Sequence, residues 1–311
     1  MAGDISYTAE EVAKILKISR YTVYDLINGG DLAALRIGRR MRIEAKDLEA
    51  YKQKAKGAQT TVTAPVCRFA GTPSLLHDGV IICGQDLLLD VLARHLEKQL
   101  PHIRFLRQYI GSIDGLLALY KETATVVTTH LWDSDADEYN VPYVRRLLPG
   151  HRTVIVNLVY RMEGFYVAKG NPKAICDWPD LTKEGVRFVN RERGSGARVL
   201  VDEKLRSLGI DRNLIQGYEK EEMSHLAVAS AVSRNEADAG VGIEKTAGQV
   251  QGIDFIPLQK ERYDLVVRKE DTEKPYFQAL ITILHSPSFR NEVAGVGGYD
   301  LSRMGDMIAE I

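Results

Sequence analysis

The stretch Tyr7–Lys54, YTAEEVAKILKISRYTVYDLINGGDLAALRIGRRMRIEAKDLEAYKQK, holds the pattern of one small domain. Thr8 is placed to cap a helix whose first turn carries Glu10 and Glu11, with Val12, Ile15 and Leu16 at helical spacing. Ile18 and Ser19 break that helix, and Ser19 can cap a second one that faces Val23, Leu26 and Ile27 inward before Asn28-Gly29-Gly30 stops it. Leu35 and Ile37, a turn at Gly38-Arg39, then Met41 and Ile43 alternate as a hairpin with a basic tip. Ala45, Leu48 and Tyr51 begin a closing helix with Asp47 and Glu49 on its wet face. Two short helices joined by a tight turn, the second entering a major groove by its N-terminal end, is a DNA-binding arrangement.

In its order of helix, turn, recognition helix, basic wing and closing helix, this stretch resembles the excisionase or MerR-type winged helix-turn-helix. The expected reader residues are Arg20, Tyr21, Thr22 and Tyr24, a mixture that reaches phosphates and base edges. The wing would contribute Arg36, Arg39, Arg40 and Arg42, which suit a phosphate backbone or a minor groove. The expected partner is double-stranded DNA. The domain is assigned to residues 1–56.

Charge agrees in sign. Residues 1–57 carry 11 Lys/Arg against 8 Asp/Glu, while the remainder carries 30 against 34. Cys67, Cys83 and Cys176 are odd in number and lack CxxC spacing, so neither a disulfide framework nor a cysteine zinc site is expected, and no metal ligand is named. The opening MAGDISYTAEEVAK has no basic and apolar signal pattern, and no apolar run approaches the ~18 residues of a spanning helix. A cytoplasmic protein is expected. Residues 57–66, GAQTTVTAPV, are small and nearly uncharged and read as a linker.

From residue 67 to 311 the elements alternate. β-branched runs occur at 80–83, 125–129, 153–156, 164–168 and 263–267, with helical patterns at 87–100, 112–120, 196–208, 224–234 and 276–285. This predicts an α/β fold with mainly parallel strands. Four junctions, VIICGQD, YIGSIDGLLALY, VVTTHLWD and NRERGSGARVLVDEKL, end a strand or open a helix on small polar residues. Each helix start leaves free N–H groups and a positive dipole end, and several converging on one cleft make an anion site.

The stretch from about Val80 to Leu301, through CGQD, GSIDGLLAL, THLWD, FVNRERGSGAR and ADAGVGIE, resembles the type II periplasmic-binding-protein fold. In particular it resembles the molybdate-binding-protein-like domains fused to helix-turn-helix modules in one-component regulators. The resemblance implies a bilobal α/β domain with the ligand between lobes. It places Gln85, Asp86, Ser112, Thr129, His130, Arg193, Ser195, Gly196 and His225 at the pocket, with Asp238 and Gly240 nearby. It implies an effector such as molybdate or tungstate and no cofactor. Gln85 departs from the small hydroxyl residue expected there, which leaves room for a larger or organic anion.

Residue by residue, Asp86 reads first as a helix-start acid, and His130 as either an anion donor or a satisfied strand-end histidine. Arg193 reads as an anion clamp and Arg198 as a surface pair. Cys83, ending an apolar strand, reads as buried and inert. The run RERGSGAR lacks the P-loop order, so nucleotide binding is not expected. No nucleophile–base pairing or HExxH stands out, and a non-enzymatic, ligand-responsive regulator is the expected function. The alternatives are an excisionase-like architectural DNA binder and an enzyme built on the bilobal fold. One head of about 50 residues covers little DNA, so a homodimer is expected.

Overall fold

A computed structural model describes residues 6–16, 23, 26–27, 32–37, 40–56 and 79–311. The chain divides into two compact units, 1–72 and 73–311. In the first, strands β1 (Ser6–Tyr7), β2 (Leu35–Ile37) and β3 (Arg40–Glu44) form an antiparallel sheet in the order β1-β3-β2. Ile37 faces Arg40 across the hairpin, as the alternating pattern requires. Helix Ala9–Leu16 starts on the expected cap: the Thr8 backbone N–H donates to Glu11 Oε2 at 2.7 Å, and the Glu11 N–H donates back to Thr8 Oγ1 at 3.3 Å. Val12, Val23, Leu32, Ile43 and Leu48, the last from helix Ala45–Lys56, form the small core. Ile15, expected inward, is instead exposed.

The second unit is a bilobal α/β fold. Its first lobe is built on β4 (Gly79–Cys83), β5 (Arg104–Gln108) and β6 (Val126–Thr129), with β4 parallel to both neighbours. The second lobe is built on β10 (Phe188–Arg191), β11 (Glu221–Glu222) and β12 (Ala239–Ile243), also parallel. A two-stranded ribbon, β7 (Trp132–Asp133) and β8 (Glu138–Tyr139), stands apart.

Both lobes bury both faces of their sheets, and strand alternation sorts the side chains. Val154 and Val156 enter one core with Val126, Leu265 and Val267, while Ile155 enters the other with Val127 and Val266. In the second lobe Phe165, Val167 and Phe188 face one side, and Tyr166 and Val189 the other. Covering helices include Leu88–Gln99, Ser112–Tyr120 and Pro275–His285 on the first lobe, and Gly196–Leu208 and His225–Ser233 on the second.

Two 16-residue strands join the lobes: β9 (Thr153–Ala168) and β13 (Ile253–Arg268), paired antiparallel along their length. The start of β9 and the end of β13 belong to the first lobe, where β13 pairs with β6 and β14 (Met307–Glu310) pairs with β9. The end of β9 pairs with β12 in the second lobe. The runs 153–156 and 164–168, read as separate strands, are therefore one, and the sheet is mixed rather than mainly parallel. Charged Arg161 and Glu163 interrupt the apolar pattern at the crossing, where both side chains are nonetheless buried.

Candidate functional site

Three helices of the second unit begin at one cavity of about 300 Å³ between the lobes: Ser112–Tyr120 from the first lobe, Gly196–Leu208 and His225–Ser233 from the second. Helix starts leave N–H groups without intrahelical acceptors, and their dipole ends add partial positive charge. Close packing fixes the approach. A Cβ on Gly196 would lie 2.4–2.6 Å from three atoms of the His130 ring, and one on Gly111 would lie 3.0 Å from the Gly194 carbonyl oxygen. The lobes are hydrogen-bonded directly. The Ile113 N–H donates to the Gly194 carbonyl oxygen at 3.0 Å, and Gln85 Nε2 donates to Glu192 Oε1 at 3.0 Å. Arg191 Nη2 also donates to Gln85 Oε1. Gln85 lines the cavity, but both ends of its amide serve as a latch to the opposite lobe.

The cavity floor is a buried ionic network at the crossing strands. Arg161 Nη1 donates to Asp86 Oδ2 at 2.5 Å and Nε to Glu261 Oε1 at 2.6 Å. Its guanidinium lies 4.0 Å over the Tyr263 ring. His130 Nδ1 stands 2.6 Å from Glu261 Oε2, and Tyr299 donates to Asp86 Oδ1 at 2.7 Å. Burial opposes charge on Arg161, but the Glu261 and Asp86 carboxylates more than reverse this and raise its pKa. Burial likewise opposes the Glu261 carboxylate, yet Arg161 and His130 hold its pKa below the usual range. Tyr263 is pushed up to about 12, first by burial and then by Asp86. Burial, then the neighbouring Arg191 and Arg161, lowers the pKa of His225 well below the usual range, and its Nδ1 is buried without a partner.

Of the residues expected at the pocket, Gln85, Asp86, Ser112, His130, Ser195, Gly196 and His225 line this cavity. Two do not. Arg193 is 68% exposed and pairs with Glu219 at 2.7 Å on the surface. Thr129 points away, donating to Asn140 Oδ1 at 3.1 Å; its neighbour Thr128 faces the cavity and receives a hydrogen bond from Tyr263, whose oxygen is 2.6 Å away. Ser195 is spent as a cap: its oxygen accepts from the Arg198 N–H and its hydroxyl donates to the Glu192 carbonyl oxygen. Asp86 does act at the helix start, accepting from the Leu88 N–H at 2.8 Å, while also binding Arg161. Arg198 does pair with Asp202, but its guanidinium is buried against Tyr218 rather than on the surface. Asp238 is held by Arg187 away from the cavity. Cys83 is buried, which raises its thiol to about 11. Arg161, Glu261, Tyr263, Tyr299, Lys245 and Ser224 join the site without having been expected there; of these, Arg161 carries a signal, a charge inside an otherwise mainly apolar run, whereas Glu261 is hidden among Gln259, Lys260, Arg262 and Asp264.

Of the expected DNA contacts, Arg20, Tyr21, Thr22, Tyr24 and Arg39 lie outside the described residues, as do the side chains of Arg36 and Arg40 and the linker at 57–66. Arg42 is half-buried on β3, opposite Leu35. Among the described residues no helix is long and apolar enough to cross a membrane.

The chain matches a helix-turn-helix domain over residues 6–56 and a PBP superfamily domain over residues 93–285. It is 41% identical over 307 residues to YvgK, an uncharacterized protein of Bacillus subtilis, covering 98% of each chain. Among solved structures it resembles a putative phosphate transporter substrate-binding protein with bound phosphate from Clostridium perfringens. There the TM-score is 0.54 at 15% identity, covering 72% of this chain and 99% of that one. The sulfate-binding protein SubI of Mycobacterium tuberculosis gives a TM-score of 0.52 at 15% identity over 72% and 86%. The two lobes, the paired crossover strands and the cavity between them are thus those of the PBP superfamily, to which this chain belongs, with a helix-turn-helix domain at its front.

Proposed function

We propose that this protein is a DNA-binding transcription regulator whose affinity for its operator is set by a small anion held between the two lobes. The observation that carries the reading is the convergence of three helix N-termini on one inter-lobe cavity. Ser112 and Ser224 add hydroxyls, and His225 contributes a ring nitrogen without a partner. An anion that bridges helix starts of both lobes binds the closed arrangement better than an open one. By linkage, that preference biases whichever DNA-binding state the closed form favours. Molybdate and tungstate head the list of effectors, with sulfate, phosphate and small carboxylates as the competing members. The regulator acts in the cytoplasm as a homodimer on a roughly two-fold site. Arg20, Tyr21, Thr22 and Tyr24 read bases, and Arg36, Arg39, Arg40 and Arg42 hold phosphates.

The test is a thermal-shift and calorimetric screen of those anions on the full chain, followed by operator binding with and without the hit. A ligand at 100 times its Kd stabilises by about 2.7 kcal/mol, a shift that melting reads easily. The reading stands if one anion both raises the melting temperature and changes DNA affinity. It falls if no anion does either at millimolar concentration.

A further inference from the structure

The cleft floor holds one buried acid that the anion reading does not use. Glu163 lies on β9 at the crossing between lobes, is fully enclosed, and no group donates a hydrogen bond to either of its oxygens. A ligand oxygen of Glu163 lies within 4.8 Å of one on Glu261, which is also fully buried. Two carboxyl groups in contact inside a protein cannot both be bare anions. A proton or a metal cation must lie between them.

The surroundings favour the cation. One ligand atom each from Glu163, Glu261 and His130 lie within 4.8 Å of one another. Ligands at about 2.0–2.2 Å from a common ion need only a small side-chain adjustment from that spacing. The two oxygens of Glu261 are divided: Oε1 takes Arg161 at 2.6 Å, and Oε2 is the oxygen 2.6 Å from His130 Nδ1. Arg161 thus holds the outer oxygen, as an orienting partner does for a metal-bound carboxylate. A shared proton accounts for the two acids alone. The His130–Glu261 contact is a hydrogen bond as it stands, but a shared proton still leaves the second Glu163 oxygen without a partner.

We propose that His130, Glu163 and Glu261 bind one divalent transition-metal ion of the zinc class, with an open coordination position toward the cleft that His130 lines. The imidazole–carboxylate set suits Zn²⁺, Co²⁺, Ni²⁺ or Mn²⁺. Such an ion would tie β9 to β13 where both pass between lobes. The proposal does not depend on the effector's identity.

The experiment uses the full chain without an affinity tag, stripped with EDTA, dialysed, and titrated at pH 7.5 with Zn²⁺ by calorimetry and with Co²⁺ by visible absorption. One equivalent per chain and Co²⁺ ligand-field bands are expected. Loss of an outer partner alone weakens metal sites about 10–100-fold, so Glu163→Gln, which removes a ligand, should cost at least about 100-fold. The neutral amide has the shape of a protonated acid, so that variant should fold as the parent does. If it does not, His130→Ala provides the same comparison. Stoichiometric uptake lost in a folded variant supports the site. No uptake of Zn²⁺ or Co²⁺, or equal uptake by folded variants, overturns it in favour of a shared proton or of binding elsewhere.

Discussion

Replacing Arg161 by Met tests the ionic floor most directly. Arg161 is buried and compensates two carboxylates, Asp86 at 2.5 Å and Glu261 at 2.6 Å, while stacking 4.0 Å over Tyr263. Removing one partner of a buried pair costs about 3–5 kcal/mol, because a charge is left in low dielectric. Both acids retain other donors: Asp86 keeps the Leu88 N–H and the Tyr299 hydroxyl, and Glu261 keeps His130. That places the expected loss near the lower end, about 3 kcal/mol. For a unit of this size the loss is a fall of roughly 6–12 °C in melting temperature. Trp132 and Trp178 are the only tryptophans and both lie in the second unit, so urea unfolding followed by their fluorescence reads that unit alone. Measured in EDTA, Arg161→Met should unfold at lower urea, and adding Asp86→Asn should recover part of the loss by removing an orphaned charge. A loss below about 1 kcal/mol, with no recovery in the double variant, would refute the argument that Arg161 neutralises the cleft floor.

Other outcomes follow from the same geometry. Gly196→Ala should push its new methyl into the His130 ring, displace the lobes, and weaken binding of the cleft anion at least about tenfold; unchanged affinity means the lobes do not meet there in the bound form. Gln85→Ala removes both latch contacts to Glu192 and Arg191, so small-angle scattering of the unliganded chain should show a larger radius of gyration, and an identical profile would count against the latch. Arg39→Ala or Arg40→Ala should weaken binding to all DNA sequences and reduce the salt slope by about one, a result an unaltered slope would exclude. Burial opposes the charge on Glu203, but Arg206 and Ser134 outweigh it and lower its pKa to about 2; Asp300 is also near 2, held there by Lys260 and Ser302. With folded values below the unfolded ones, their stabilisation is full above about pH 4.5 and fades toward pH 2. Glu203→Gln should flatten that acid limb of the urea midpoint, and an unchanged limb would show that Glu203 does not contribute to it.

The sequence makes the helix starts legible for a physical reason. A cap needs a short polar residue followed by an apolar face, and Thr8, Ser195 and Ser224 advertise this locally; the side chain of each accepts from its own helix's first turn. The same logic misleads about ligands. Ser195 is found by its cap signal, and the cap is what consumes its hydroxyl, so what remains for an anion there is backbone, which sequence does not mark. Parity is the second obstacle. In β6 all four residues, Val126-Val-Thr-Thr129, are buried because both faces of the sheet are covered, so no wet face tells which threonine meets the cleft. It is Thr128, not Thr129. Arg193 misleads differently: flanking a glycine turn, it has the chemistry of a clamp but is held on the surface by Glu219.

The crossing strands are the least legible part, and the cause is also the point of interest. Arg161 and Glu163 fall in the gap between the runs 153–156 and 164–168, although the chain there is extended and buried. A protein keeps buried charges at a cost unless they are compensated. Arg161 with Asp86 and Glu261 is compensated; Glu163 is not. An uncompensated acid where two strands carry the connection between lobes ties the energy of that hinge to whatever neutralises it. A cation or proton that binds there more tightly in one lobe arrangement than in the other biases lobe closure, and by reciprocity a ligand that closes the lobes then changes the affinity for that cation. The two can be measured on the same sample: if Zn²⁺ binds, its apparent Kd should shift in the presence of the cleft anion by the same factor by which Zn²⁺ shifts the anion's. Equal affinities with and without the second ligand would separate the hinge from the cleft.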